Sequence, residues 1–202
     1  MPKKTLLIAS IITASLFCFT NVSGQKYYER VKKQMIFGRD STKNVFLITN
    51  HGEMVTGNVI SFTPHKKYKT FNPREEWIAI DGKQFMRDSV DAFQTEEFYK
   101  ARFKGTPVLP GFPERLRYGK IDLYSYPYME QNGTSINDYH IYFFKKGTGE
   151  LQLLTYKDFA AALSDNPRAL EEFKKSFDGI IPRYAEKENL EKLINVVEIY
   201  NK

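Results

Sequence analysis

Nucleophilic catalysis needs a Ser, Thr or Cys beside a His that a carboxylate orients. The chain has three histidines: His51 in a turn-like stretch, His65 beside Pro64 in a basic run, and His140 at the start of a β-type run. None sits in a Gly-x-Ser-x-Gly, His-x-x-x-His or His-Glu-x-x-His setting, so each reads as an ordinary surface or half-buried histidine. Glycoside hydrolysis needs only two carboxyl groups, about 5–10 Å apart. The neighbouring acids are Glu75-Glu76, Asp88 with Asp91, and Glu96-Glu97. Adjacent residues of a strand point to opposite faces, so neither glutamate pair can act together if extended. Asp88 and Asp91 have the spacing of a turn or helix cap, with Val90 and Phe93 following at helical spacing. Calcium ligation would need more oxygen ligands than this stretch offers. No Gly-x-Gly-x-x-Gly and no phosphate loop is present, and Gly147-Thr148-Gly149 opens no helix. The reading is therefore no catalytic residue, no metal ligand and no cofactor site.

Binding chemistry is better represented. Tyr124, Tyr126, Tyr128 and Tyr142 lie in one aromatic stretch with Tyr118, Tyr139, Phe143 and Phe144. In a strand, Tyr124 and Tyr126 share a face, as do Tyr142 and Phe144. Such rings serve either as core and cross-strand packing or as an exposed platform for sugar rings or a partner protein. The four tyrosines are the candidate binding surface. The densest basic run, His65-Lys66-Lys67-Tyr68-Lys69, reads as a solvated strand end or turn,.

The elements that would position these residues fall into two regions. From Met35 to Tyr156 the pattern is short β-type runs between turn residues. Val45–Thr49 is one strand, Asn50–Glu53 a turn, and Met54–Phe62 the returning strand. Trp77–Ile80, Asp81-Gly82 and Lys83–Met86 make a hairpin, because Asp and Gly tolerate the positive φ of a type I′ turn. The stretch 106–113 carries Pro107, Pro110, Gly111 and Pro113 and is the one candidate internal boundary,. Gly119–Tyr126, Tyr139–Lys145 and Leu151–Thr155 follow as an antiparallel meander, with Asn132-Gly133-Thr134 as a turn.

Beyond Thr155 the period becomes helical. Thr155 with Asp158 resembles a capping box, and Tyr156, Phe159, Ala160 and Leu163 share one face. Asn166-Pro167 reads as the cap and first residue of a second helix with Leu170, Phe173 and Phe177 as its stripe. A last helix runs from Glu186 to Tyr200, with Leu190, Leu193, Ile194, Val197 and Tyr200 on one side. The fold class is α+β, an antiparallel hairpin-rich sheet followed by about three C-terminal helices.

The first 24 residues read as a signal peptide. Lys3 and Lys4 form a basic start, Leu6–Phe19 an apolar run too short to span a bilayer, and Val22-Ser23-Gly24 a cleavage site before Gln25,. Residues 25–202 then form a single domain without a membrane-spanning helix. The only cysteine, Cys18, would leave with the signal, so the mature domain carries no disulfide and no Cys-bound metal,. The formal charge of +6 includes Lys3 and Lys4 and no acid from this segment, which leaves +4 spread along the domain. That balance, with export, argues against a nucleic-acid partner.

Three passages resemble a group of exported Bacteroidetes proteins of unknown function. They are Gly52-Glu53-Met54-Val55-Thr56-Gly57-Asn58-Val59, Glu114-Arg115-Leu116-Arg117-Tyr118-Gly119-Lys120-Ile121-Asp122-Leu123-Tyr124 and Tyr142-Phe143-Phe144-Lys145-Lys146-Gly147-Thr148-Gly149-Glu150-Leu151. The resemblance implies a bacterial envelope setting and brings no activity, cofactor or catalytic residue. The expectation is an exported protein, periplasmic, cell-surface or secreted, that binds an envelope protein or glycan without catalysis. The alternative is a carboxylate-dependent hydrolase of envelope polymers. Intact-mass analysis of the protein exported by its host should give a chain starting at Gln25. A mass that retains residues 1–24 would make that segment an anchor.

Overall fold

The computed structural model describes residues 45–64, 75–106, 111–132, 135–181 and 187–202. Residues 1–24, the His65–Lys69 run and Gly133-Thr134 lie outside the described residues. The fold is α+β: an eight-stranded antiparallel sheet, a three-stranded one, and three helices at the C-terminal end of the described chain. No helix among the described residues is long and apolar enough to cross a membrane.

The described residues open with the hairpin β1 (Val45–Thr49) and β2 (Met54–Gly57), turned by Gly52 at φ 81°. The strand expected over Met54–Phe62 is two strands in different sheets. It breaks after Gly57, and β3 (Ile60–Pro64) joins the small sheet. The break is pinned by Asp81, whose carboxylate accepts from the Asn58 N–H at 3.0 Å and the Val59 N–H at 3.0 Å. Two backbone donors that would otherwise seek a ladder partner are satisfied there, so pairing stops. β4 (Glu75–Ile80) and β5 (Lys83–Met86) complete the small sheet. The turn between them has Asp81 at φ 48° and Gly82 at φ 82°, the positive pair a type I′ turn requires,.

A short 3-10 turn, Arg87–Ser89, leads into β6 (Val90–Gln94). Val90 and Phe93 thus belong to a strand and not to the helix start their spacing suggests, because Ser89 Oγ donates to the Met86 carbonyl (2.7 Å) and closes the turn. β7 (Tyr99–Ala101) and β8 (Glu114–Arg117) follow as neighbours, so the proline-rich 106–113 stretch joins strands of one sheet. Phe112 within it is buried against Leu47, Ile78, Val90 and Phe93, in a core shared by the two sheets.

β9 (Ile121–Asn132) and β10 (Ser135–Lys146) form the longest pair, in register from Ile121↔Lys146 to Asn132↔Ser135. Both extend further than the expected strands. Pro127 is tolerated because β8 pairs with β9 only up to Ser125, leaving the proline without a partner on that side,. β11 (Gln152–Leu153) closes the order β11-β10-β9-β8-β7-β6-β1-β2.

Helix α1 (Tyr156–Ala162) is capped by Thr155, whose Oγ1 accepts from the Asp158 N–H at 3.1 Å. Helix α2 (Pro167–Ser176) is capped by Asn166, which accepts from the Ala169 N–H at 3.1 Å. Phe159, Leu163 and Phe173 are fully buried, and Phe159 meets Phe144 of β10 edge-on at 5.2 Å. Helix α3 (Lys187–Asn201) packs on α2, β8 and β9 through Leu193, Ile194, Val196 and Val197. Its end is fastened by Asn201, which exchanges two hydrogen bonds of 2.9 Å with the backbone N–H and carbonyl of Ile121. The approach is so close that a Cβ at Gly119 would stand 2.4 Å from the Asn201 amide, which is why that position has no side chain.

A polar clasp ties β10, the α1–α2 turn and α3 together. Lys146 Nζ donates to Asp165 (2.8 Å) and to the Ala162 carbonyl (2.7 Å), and the Tyr200 hydroxyl donates to Asp165 at 2.8 Å. The bonds from Lys146 and then Tyr200 hold the Asp165 carboxyl below its ordinary 3.8. A depressed folded value means stability that is present above the unfolded value and lost as pH falls through the folded one. Asp165→Asn should therefore lower Tm at neutral pH and flatten the loss of Tm on acidification below about pH 4. Thermal unfolding of both proteins across that range checks it, and parallel curves would remove Asp165 from the acid response.

Candidate functional site

Directly paired residues of a sheet share a face, so the register sorts the candidate side chains. Tyr142 stands opposite Ser125, and Phe144 opposite Leu123, on the face that carries the helices. Tyr124 stands opposite Phe143, on the second face with Tyr126. The helices cover the first face of this region. Tyr99, Ala101, Phe103, Ile141, Leu151 and Leu153 pack against the rings of the second. Tyr124, Tyr126 and Tyr142 are consequently only 1%, 6% and 4% exposed, and they form no stacking platform. The Tyr128 side chain lies outside those described. The strand pattern correctly places tyrosines on shared faces, but neither face is open where Tyr124, Tyr126 and Tyr142 lie.

What the second face holds is a buried charge cluster. Arg115 of β8 lies between two rings, its Cζ 3.8 Å from the Tyr99 centroid and 4.5 Å from that of Tyr118. Its Nη1 is 3.5 Å from Asp122 Oδ2. Asp122 also accepts from the Tyr124 hydroxyl (3.1 Å) and the Gly119 N–H (3.0 Å). Burial pushes the Asp122 carboxyl above its ordinary value, against the opposing pull of the Gly119 bond and Arg115. The same desolvation pushes the Tyr99 and Tyr124 hydroxyls up, so both stay neutral donors. Tyr118, 56% exposed, is the outer lid of this stack.

The helix-bearing face contributes a contact that sequence reasoning missed. Ser125 Oγ lies 2.8 Å from His140 Nδ1, and Glu114 stands directly across β8 from Ser125. An imidazole at that distance can take a hydroxyl proton. Ser125 is only 4% exposed in the middle of a central strand, however, which leaves a substrate no approach to its oxygen. The pair serves as a half-buried hydrogen bond across the two strands,. His140 and Ser125 are fifteen residues apart with no motif between them; only the β9–β10 register brings them together.

Asp88 and Asp91 are brought together around Arg102. The guanidinium Nη2 donates to Asp91 at 3.0 Å, Nη1 lies 3.7 Å from Asp88 Oδ1, and Nη1 also donates to the Asp88 carbonyl at 2.7 Å. Lys104 Nζ donates to the second Asp91 oxygen at 2.7 Å. The guanidinium fills the gap that a glycosidase pair holds open for substrate. Glu96 and Glu97 are exposed in the β6–β7 turn, where Thr95 Oγ1 accepts from the Glu97 N–H at 3.1 Å. The Glu75 and Glu76 side chains and His65 lie outside the described residues, and His51 is exposed in the β1–β2 turn. Among the described residues, no group of three or more His, Cys, Asp or Glu is placed to hold a metal ion.

Beside this ion-pair cluster opens a cleft of about 300 Å³, lined by Arg87, Asp88, Arg102, Phe103, Lys104, Gly105, Gly111 and Phe112. Its volume sits at the lower end of the range of small-ligand sites. Gly105 matters to its shape: a Cβ there would strike the Phe103 ring at 2.5 Å. The walls come from the 3-10 turn and from the chain between β7 and β8, so none of these residues is adjacent to the tyrosine stretch in sequence. The signal in the sequence was the Arg-x-Lys alternation of 102–104 followed by the glycines at 105 and 111, and it carried no recognisable motif. The chain matches no family model, no curated protein and no solved structure.

The Arg115–Asp122 pair is the sharpest energetic feature. Removing one member of a buried pair strands the other, at a cost of about 3–5 kcal/mol. Arg115→Met should destabilise by that amount at neutral pH. Asp122, already raised, then prefers protonation more strongly, and a raised carboxyl contributes stability at low pH that is lost as pH rises through its folded value. The deficit against wild type should thus shrink on acidification. Denaturant midpoints of both proteins at pH about 7 and about 4 test this; an equal deficit at both would make packing against Tyr99, and not charge, the role of Arg115.

Proposed function

We propose that this chain is an exported bacterial envelope protein that binds a surface glycan or another envelope protein without catalysing a reaction. The observation that carries the reading is the cleft between the 3-10 turn and the β7–β8 connection. It combines charged side chains, an aromatic ring and glycine walls in a volume suited to one small group,. Export rests on the basic and apolar character of residues 1–24 and on the resemblance of the strand motifs to exported Bacteroidetes proteins,. The chemistry-bearing side chains support binding over turnover. Asp88 and Asp91 are bridged by Arg102, Asp122 is buried beside Arg115, and Ser125 is buried and bonded to His140.

The test is retention of envelope components on the immobilised exported protein, followed by size analysis of what is retained. The expected result is a glycan or protein fraction that is held and released intact. Shortened polymer, with new reducing ends, would replace this reading with the hydrolytic one.

A further inference from the structure

We infer that Asp81-Gly82 is a site of self-catalysed isoaspartate formation that the fold holds shut, and that modification there makes an opening of the junction between β2 and β3 permanent. No ligand takes part, so this is independent of the binding reading above. The sequence supplies the reactive pair. A backbone nitrogen attacks the preceding aspartyl Cγ most freely when its own residue has no side chain in the way, and Gly82 has none,. Both residues are exposed, and even a Cβ added at Gly82 would meet nothing within 4 Å, so water can reach the turn.

The reaction needs no co-reactant except water. The Gly82 nitrogen bonds to Asp81 Cγ, and the carboxyl hydroxyl leaves as water with the proton of that nitrogen, giving a five-membered succinimide. Water then adds at the former main-chain carbonyl of Asp81 and breaks its bond to nitrogen. The chain now runs through Cβ and Cγ, one backbone atom longer, and the free carboxylate sits on Cα.

The fold opposes the first step. Asp81 Oδ1 accepts from the Asn58 and Val59 N–H groups, each at 3.0 Å, and Oδ2 lies 3.1 Å from the Asn58 nitrogen. The Asn58 side-chain amide reaches Oδ2 at 3.5 Å, and the Asp81 N–H donates back to the Val59 carbonyl at 3.0 Å. An oxygen that leaves as water must carry a proton, whereas both oxygens here face N–H donors. Attack also makes Cγ tetrahedral, which draws the oxygens off those donors and strands two backbone N–H groups. Space is kept for the carboxylate, since a Cβ at Gly57 would stand 2.6 Å from Oδ2.

The product no longer fits this seat. Its carboxylate is one carbon nearer the backbone, and the two-residue loop between the paired Ile80 and Lys83 has gained an atom,. The N–H groups of Asn58 and Val59 then lose the acceptor that holds the break between β2 and β3.

The experiment incubates the exported protein in warm neutral buffer beside a peptide of residues 77–86. Isoaspartate is counted by enzymatic methylation of its carboxylate and placed at 81 by fragmentation mass spectrometry. The peptide and the urea-unfolded protein should convert, and the folded protein should convert at least about tenfold more slowly, because a folded junction opens only as a minority event. Gly57→Ala displaces the carboxylate and should convert faster than wild type; its Cβ also meets Ile80 Cγ1 at 2.6 Å, so the folded and unfolded wild-type rates decide the matter if the variant does not fold. In the converted protein, separated by ion exchange, the Asn58 and Val59 amide hydrogens should exchange at least about tenfold faster than before conversion. A peptide that does not convert removes the site. Folded wild type converting as fast as the peptide, or folded Gly57→Ala converting no faster than wild type, overturns the holding role of the junction. Unchanged exchange at 58 and 59 after conversion overturns the permanent opening.

Discussion

Both surfaces of β9 and β10 are buried over Ile121–Tyr126 and Tyr142–Phe144, and much of the described structure is arranged to cover them. A sheet exposed on one side alternates apolar and polar residues; here Ile121, Asp122, Leu123, Tyr124, Ser125 and Tyr126 are all buried in succession,. One side receives Phe159, Phe173 and the apolar stripe of α3. The other receives Tyr99, Phe103 and their neighbours. Any polar residue in these strands must then bring its partner with it.

That requirement accounts for the polar contacts of the region. Asp122 is held by the Gly119 N–H, Tyr124 and Arg115, and Ser125 by His140. Ile121, at the end of the ladder, takes the Asn201 side chain in place of a strand. Each of these is a group that would be costly to bury alone. The chemistry-bearing residues of β9 and β10 are thereby committed to holding the sheet, and the accessible charge lies elsewhere, at the 3-10 turn and the β7–β8 connection.

The three-stranded sheet is built into the same logic at the other end of the large sheet. Ile78 of β4 joins Leu47, Val90, Phe93 and Phe112 in one core, so the small sheet covers the face of β1 and β6 much as the helices cover that of β9 and β10. The chain reaches the small sheet only because it breaks after Gly57. The Asp81 carboxylate that secures the break also sits in the β4–β5 turn, so one residue sets two junctions.

The local features were legible in the sequence. The type I′ turn at Asp81-Gly82, the Thr155 and Asn166 caps, and the stripe through Leu193 and Val197 depend on dihedrals and bonds spanning about four residues, which residue type and spacing specify. The α+β class followed from the change of period at Thr155. Tertiary structure alone decided that Met54–Phe62 divides between two sheets, that three tyrosines of the candidate surface are interior, and that Ser125 meets His140. It also gathered Arg87, Arg102 and Lys104 around one cleft. These outcomes depend on strand register and on which layers cover each face. Register is fixed by the packing of distant segments, and a period of two says which residues share a face but not whether that face meets water.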